Sequence, residues 1–481
     1  MSIRLAFGTA GIRAPLGEGP ERINLANVAG VAHAICSELA HGKQRGICVG
    51  HDGRTDSDVF AREVIRVARA HGFLVRAFET TIPTPVLAFA TRHHDAVAGV
   101  MITASHNPPT DNGIKLYLER GAQVLPPYDQ AIAARIASFE PSQLPVGEAG
   151  DLLPLGRPEV DAYLATVRSL ATVAHPPPRF AYSALCGVGG AVTRRLLQFV
   201  EWIEVEEQAE PRRDFGGLMV PNPEHEVALA KLRALADAHR LELAFAHDPD
   251  ADRLAVMVRE RSGLLRALSG DEVGALLGDY VVRAGDAVVS TLVSGGMLEL
   301  IARARGAHFE RTPTGFKWIA ARGRELERAG KPFSFGYEEA IGYAFGRVAD
   351  DKDGIAALQV LLALAGELHA HGESLCDRLD ALAREHGRFA TRQLTVPRGA
   401  ELPQLPADLL GPGTVRHDLP QHALTIYELG DSRVCVRPSG TEPKLKFYLH
   451  TRAQVDAGLA QADAANQRAL DRLEAAIRAA I

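Results

Sequence analysis

At 481 residues the chain is too long for one hydrophobic core, so about three or four domains are expected. Its 46% apolar and 23% charged residues are ordinary for a globular protein. A net charge of −6 gives no support for nucleic-acid binding, which normally shows a basic stripe, so any anionic ligand must be held by local cationic loops. Five scattered cysteines without a Cys-x-x-Cys pair argue against a zinc ribbon or disulfide framework, and for reduced thiols in the cytoplasm. The first residues lack the apolar segment of a signal peptide. The longest apolar stretch, 355–365, contains Gln359 and is too short to span a bilayer, so no membrane partner is expected.

In chain order, Leu25, Val28, Ala29, Val31, Ala32, Ile35 and Leu39 recur at three and four residues and predict an amphipathic helix over 25–41. The apolar run 46–50 predicts a buried strand, 56–71 a second helix and 74–78 a second strand. A third strand over 96–102 leads directly to Ser105. Helices alternating with continuous apolar strands predict a mainly parallel α/β sheet, with ligands beyond the carboxyl ends of its strands. A Pro- and Gly-rich connector follows at 141–158. The pattern then recurs, with a strand at 241–246 before Asp248 and another at 333–336 before Glu338. Cys186 has no base supplied by its surroundings in sequence and reads as a buried structural thiol. Ser269-Gly270-Asp271 reads as a helix cap opening the third unit. Residues 397–413 read as a second linker. Strand-like runs at 424–427 and 433–436, then an Ala-rich helix from about 454, predict a smaller α+β unit. The expected domains are 1–145, 146–266, 267–385 and 386–481.

Four loops carry chemistry. Thr103-Ala104-Ser105-His106-Asn107-Pro108 places a hydroxyl at a strand end, where backbone N–H groups favour an anion and prolines stiffen the turn. In Asp248-Pro249-Asp250-Ala251-Asp252-Arg253 three carboxylates alternate, repel one another unless a cation neutralises them, and need a bend to converge. Oxygen ligands without Cys or His suit magnesium. An EF-hand is excluded, because Arg253 and Arg259 stand where that loop needs Gly and Glu. Glu338-Glu339-Ala340-Ile341-Gly342 offers two carboxylates, each able to accept hydrogen bonds from neighbouring sugar hydroxyls. Arg437, Ser439, Gly440, Thr441 and Lys444 combine a bidentate cation, two hydroxyls, an approachable amide and a point charge into a phosphate cradle. Residues 8–13 add a possible backbone nest and Arg13. No P-loop or dinucleotide fingerprint is present. Each loop alone is compatible with an ordinary turn; all four on one chain indicate phosphoryl transfer on a sugar phosphate.

These loops, in this order and spacing, resemble the α-D-phosphohexomutase superfamily from Phe7 to about Tyr448, with further agreement at Ile114-Lys115, 314–318 and 351–354. The resemblance implies an α/β protein of four domains around a central cleft: three related α/β units and a C-terminal α+β domain. It implies that Ser105 carries a phosphoryl group and that Mg²⁺ is held by that phosphoserine with Asp248, Asp250 and Asp252. A sugar monophosphate would become a bisphosphorylated intermediate, reorient and return its other phosphate to Ser105, with a sugar 1,6-bisphosphate as activator. His106, Lys115, Arg13 and Lys352 are then candidates for proton transfer or charge stabilisation. Arg253, Thr314, Gly315, Glu338 and Ala340 are candidates for substrate binding, with Arg437, Ser439, Gly440, Thr441 and Lys444 as the clamp on the idle phosphate.

One departure stands out. Ala340 occupies a place where most hexose-specific members carry serine, which is similar to the phosphoglucomutase-2-like and phosphopentomutase branch. Glucose 1-phosphate is the first expected substrate, followed by mannose and ribose phosphates. A sugar-bisphosphate synthase or a silent sugar-phosphate binder are alternatives, the second disfavoured by intact Ser105 and three intact aspartates. The sequence carries no sign of an oligomeric state.

Overall fold

The computed structural model describes residues 3–8, 10–346, 348–397, 405–438 and 444–481, and the apolar runs become the inner strands of four sheets. In the first sheet Ile47–His51 lies between Val75–Phe78 and Ala98–Ile102, all parallel. All of Ala98–Ile102 is buried, as its unbroken apolar sequence requires of a strand covered on both faces. Helices Leu25–Glu38 and Ser57–Ala70 fall within the expected spans. The connector at 141–158 is not all loop: Leu152–Leu155 pairs with Val75–Phe78 and extends the first sheet past residue 145.

The second sheet has a parallel core of Phe180–Ser183, Trp202–Glu204 and Leu243–His247. The third has Ala287–Thr291 between His308–Thr312 and Phe333–Glu338. In all three units the chemically equipped loop is the turn of a hairpin, a parallel strand returning as an antiparallel neighbour. The return strands are Asp111–Leu118, Leu254–Arg259 and Gly342–Ala344. Each turn contains one non-glycine residue in the left-handed region: Ser105 at φ 53°, Ala251 at 58° and Ile341 at 54°. Such residues cost roughly 1–3 kcal/mol and persist where the surroundings over-determine them. The second and third hairpins are laced together by Leu254 N–H donating to the Ile341 carbonyl at 3.2 Å, and the first unit joins the second through Thr84 N–H, at the start of helix Thr84–His93, donating to the Asp250 carbonyl at 2.9 Å.

The apolar stretch at 355–365 forms most of the helix Gly354–Ala370, which is buried almost along its length. Its side chains share one hydrophobic core with residues from all three α/β units. Gln359 is satisfied there by donating to the Ala171 carbonyl at 2.8 Å. Gly354 is required at the helix start, since a Cβ would lie 2.4 Å from the Arg253 carbonyl oxygen. No single helix among the described residues is long and apolar enough to cross a membrane.

The last sheet is antiparallel throughout, in the order Arg388–Pro397, Lys444–Ala453, Ser432–Pro438, Leu424–Leu429, Val415–Leu419. The closing helix starts at Leu459, later than the Ala-rich composition suggested. Leu405 and Leu409 are buried in this unit's core, so the described part of the expected linker at 397–413 is packed structure. The unit docks on the third through Val293, which sits among Leu424, Ile426, Cys435 and Tyr448.

Candidate active site

Ser105 is buried at the end of Ala98–Ile102. Its N–H donates to Thr103 Oγ1 at 2.9 Å, and its Oγ donates to Asp248 Oδ2 at 2.9 Å. His106 Nδ1 lies 3.2 Å from the same Oγ. Burial, with Arg253 and Arg13 nearby, holds His106 well below the ordinary imidazole range, so the ring is neutral at neutral pH. Arg13 reaches the loop by donating to Asn107 Oδ1 at 3.1 Å.

The left-handed Ala251 supplies the bend that the alternating aspartates need. Asp248, Asp250 and Asp252 are fully buried, and one carboxylate oxygen of each lies within 4.8 Å of the others. Lys115 Nζ donates to Asp250 Oδ2 at 2.6 Å and to Asp252 Oδ2 at 2.5 Å, and Lys352 Nζ sits 2.9 Å from Asp252 Oδ2. Burial works to raise Asp250 and Asp252, but the lysines overcome it and hold both below the ordinary carboxylate range. Asp248 has no lysine at contact distance; burial and its two acidic neighbours push it well above that range. The second oxygens of Asp250 and Asp252 are buried without a hydrogen-bond partner. Unsatisfied carboxylate oxygens in a cluster without sulfur or imidazole ligands fit a hard divalent cation such as Mg²⁺.

The two glutamates of the third loop part company. Glu338 ends its strand buried near Lys352 and Arg253; burial raises its proton affinity against the pull of both cations. Glu339 instead accepts from Thr291 Oγ1 at 3.0 Å and Ser294 Oγ at 3.1 Å. The two adjacent carboxylates thus have different surroundings, because the chain turns between them. Ala340 sits in that turn. Arg253 donates to Glu224 Oε2 at 3.2 Å, and its N–H to Asp248 Oδ1 at 3.0 Å.

Burial and the charge of Glu338 push Glu339 up to about 7. Its protonated form is therefore favoured in the fold, a contribution complete below the ordinary carboxylate range and lost as pH rises through about 7. Glu339→Gln should melt with the wild type at pH 5 and above it at pH 8, by the equivalent of about 2 kcal/mol. Equal pH dependence in the two proteins would refute the assignment.

Other expected site residues stand further out. Thr314 and Gly315 lie at the head of helix Phe316–Arg328, and Thr314 makes no hydrogen bond to the Ser105 cluster among the described residues. Arg437 lies near the end of Ser432–Pro438, where it pairs with Lys446, and Lys444 opens the neighbouring strand Lys444–Ala453. Ser439, Gly440 and Thr441 lie outside the described residues.

Sequence reasoning missed Arg54 and Asp52. Arg54 is buried beneath the Ser105 loop, beside Asp52 at 3.3 Å. The only sequence signal was a charged Asp-Gly-Arg step after a strand. Asp351 and Asp353 were likewise given no role. Asp351 accepts from Tyr117 Oη at 2.8 Å, Asp353 from Tyr163 Oη at 2.8 Å, and both flank Lys352.

The chain belongs to the phosphoglucomutase/phosphomannomutase family, within the α-D-phosphohexomutase superfamily, matching its alpha/beta/alpha domain I over residues 4–142, domain II over 161–263, domain III over 269–385 and its C-terminal domain over 394–468. It is an enzyme, a phosphomutase, and so an intramolecular phosphotransferase. A probable phosphomannomutase of Haemophilus influenzae is 35% identical over 86% of this chain and 90% of its own length. A probable phosphoribomutase of Schizosaccharomyces pombe is 32% identical over 94% and 88%, and human phosphopentomutase 34% identical over 81% and 69%. Among solved structures, a putative phosphomannomutase from Thermus thermophilus matches in fold with a TM-score of 0.78 at 22% identity, covering 99% of this chain and 100% of that one.

Proposed function

We propose that this phosphomutase exchanges phosphate between C1 and the terminal position of a sugar, with Ser105 as the phosphoryl carrier and glucose 1-phosphate as first substrate. The observation that carries the reading is the 2.9 Å contact of Ser105 Oγ with Asp248 at the edge of the three-aspartate cage. Ser105, Asp248, Asp250 and Asp252 would hold Mg²⁺, which when bound neutralises charge on the transferring phosphoryl oxygens. Lys115, Lys352 and Arg13 contribute fixed positive charge around that point, and phosphoryl transfer depends mainly on such positioning and neutralisation. Neutral His106 is placed to accept the Ser105 proton. Glu338 takes sugar hydroxyls, Arg253 a phosphate oxygen, and Thr314 and Gly315 border the sugar. Arg437, Lys444 and the chain between them, with Ser439, Gly440 and Thr441, clamp the idle phosphate. Five free thiols support a reducing compartment such as the cytoplasm.

A second reading, ribose 1-phosphate as substrate, is favoured by two observations. Ala340 is apolar and Glu339 is occupied within its own unit, leaving one carboxylate for hydroxyls. Similar proteins are also named phosphoribomutase and phosphopentomutase.

The test is turnover of glucose, mannose and ribose 1-phosphates, each primed with a trace of sugar 1,6-bisphosphate. Conversion to the terminal phosphate is expected, abolished by EDTA and restored by Mg²⁺. The fastest sugar decides between the two readings. Accumulation of bisphosphate without the mutase product would make the protein a sugar-bisphosphate synthase, and metal-independent turnover would overturn the cation cage.

A further inference from the structure

Arg54 gathers the backbone of the Ser105 loop to one side. Its Nη2 donates to the carbonyls of Ser105 at 2.5 Å and Asn107 at 2.7 Å, and its Nη1 to those of Pro108 at 2.7 Å and Asp111 at 2.9 Å. The guanidinium is itself seated: Asp52 holds Nε at 3.3 Å, and the Phe215 ring of the second unit covers it at 4.7 Å. Asp52 is fixed in turn by the Ser57 hydroxyl at 2.7 Å and the Arg54 N–H at 2.9 Å.

A trans peptide points its carbonyl and N–H in opposite directions. Capturing the Ser105 carbonyl therefore aims the N–H of His106 away from Arg54. Two other captured carbonyls precede Pro108 and Pro109, which have no N–H to present. The His106 N–H has no acceptor among the described residues, although it adjoins the residue whose hydroxyl meets Asp248. Ser105 also holds the left-handed backbone that this peptide orientation demands.

We propose that Arg54 is a positioning residue for phosphoryl transfer: it fixes the Ser105–His106 peptide so that the His106 N–H donates to the phosphoryl group carried on Ser105. This rests on the reading of Ser105 as carrier. In the priming step the Ser105 Oγ–P bond forms as an O–P bond of the sugar bisphosphate breaks. The hydroxyl proton of Ser105 ends on the freed sugar oxygen. A donor held in place before reaction stabilises charge without reorganising during it.

The test compares wild type, Arg54→Lys and Arg54→Met in single-turnover transfer from glucose 1,6-bisphosphate, followed by intact mass. KM for the sugar 1-phosphate and the ³¹P resonance of the phosphoserine are measured alongside. Arg54→Met is expected to slow transfer by roughly 10²–10³-fold with KM within about threefold of wild type. Its phosphoserine resonance should shift, and Arg54→Lys should recover part of the rate. A folded Arg54→Met that labels at the wild-type rate, or that loses turnover only through KM, overturns the proposal. If Arg54→Met does not fold, Phe215→Leu decides, with a several-fold slower transfer expected at unchanged KM and an unchanged rate overturning it. Failure of the wild type itself to label would sink the carrier reading instead, so the two failures are distinguishable.

Discussion

Ser105→Ala protein mixed with a sugar 1,6-bisphosphate is expected to keep its mass, while the wild type is expected to gain one phosphoryl group. Turnover in the variant is expected to fall by at least about 10⁴-fold, since a carrier's loss is not shared out among its neighbours. Stability should change little, because the lost hydroxyl makes one short hydrogen bond, to Asp248 at 2.9 Å, with His106 Nδ1 at 3.2 Å, and one such bond contributes only about 1 kcal/mol. This combination separates a carrier from a structural serine. A variant retaining a tenth of wild-type turnover would remove Ser105 from the chemistry.

The second large effect concerns Lys115. Its ammonium is buried between Asp250 and Asp252, at 2.6 and 2.5 Å. Lys115→Met keeps an unbranched side chain one atom shorter but removes the cation shared by two buried carboxylates, leaving Lys352 as the one lysine at contact distance. Removing one partner of a buried ionic group costs about 3–5 kcal/mol, so the melting temperature in EDTA should drop by roughly 3–5 °C for a chain of 481 residues. Mg²⁺ should raise the melting temperature of the variant more than that of the wild type, because in the variant the cation also takes up the charge that Lys115 neutralised. A variant melting with the wild type in EDTA would show that the lysine does not neutralise the cage.

Much of this was legible in the chain. Unbroken apolar runs such as Val97 to Ile102 announced strands covered on both faces, and the loops at their ends held the chemistry. The alternation of Asp248, Asp250 and Asp252 required a bend, and Ala251 provides it. The return strands were not legible. Asp111–Leu118 carries Asn112, Gly113 and Lys115, polar or small residues that break the apolar pattern; Asn112 is buried by donating to Thr55 and Ser57 of its own unit, and Lys115 by its aspartate partners in the second. Lys115 and its partners stand 135 and 137 residues apart, so no local pattern links them. Arg54 looked like any charged turn residue, because its four acceptors are backbone oxygens that have no signature in sequence. The parting of Glu338 and Glu339 is a matter of chain direction at a strand end, and adjacent letters do not display it.

Recurrent pattern and shared interior pull in opposite directions in this molecule. The hairpin units repeat as if separable, yet the helix Gly354–Ala370 belongs to the third by sequence and is buried in a core common to all three. A gene fragment ending before it would encode complete sheets whose apolar faces have lost their cover. The unit of inheritance and the unit of stability are therefore different lengths of chain. Homologous swaps would have to carry that helix along with whichever unit they replace.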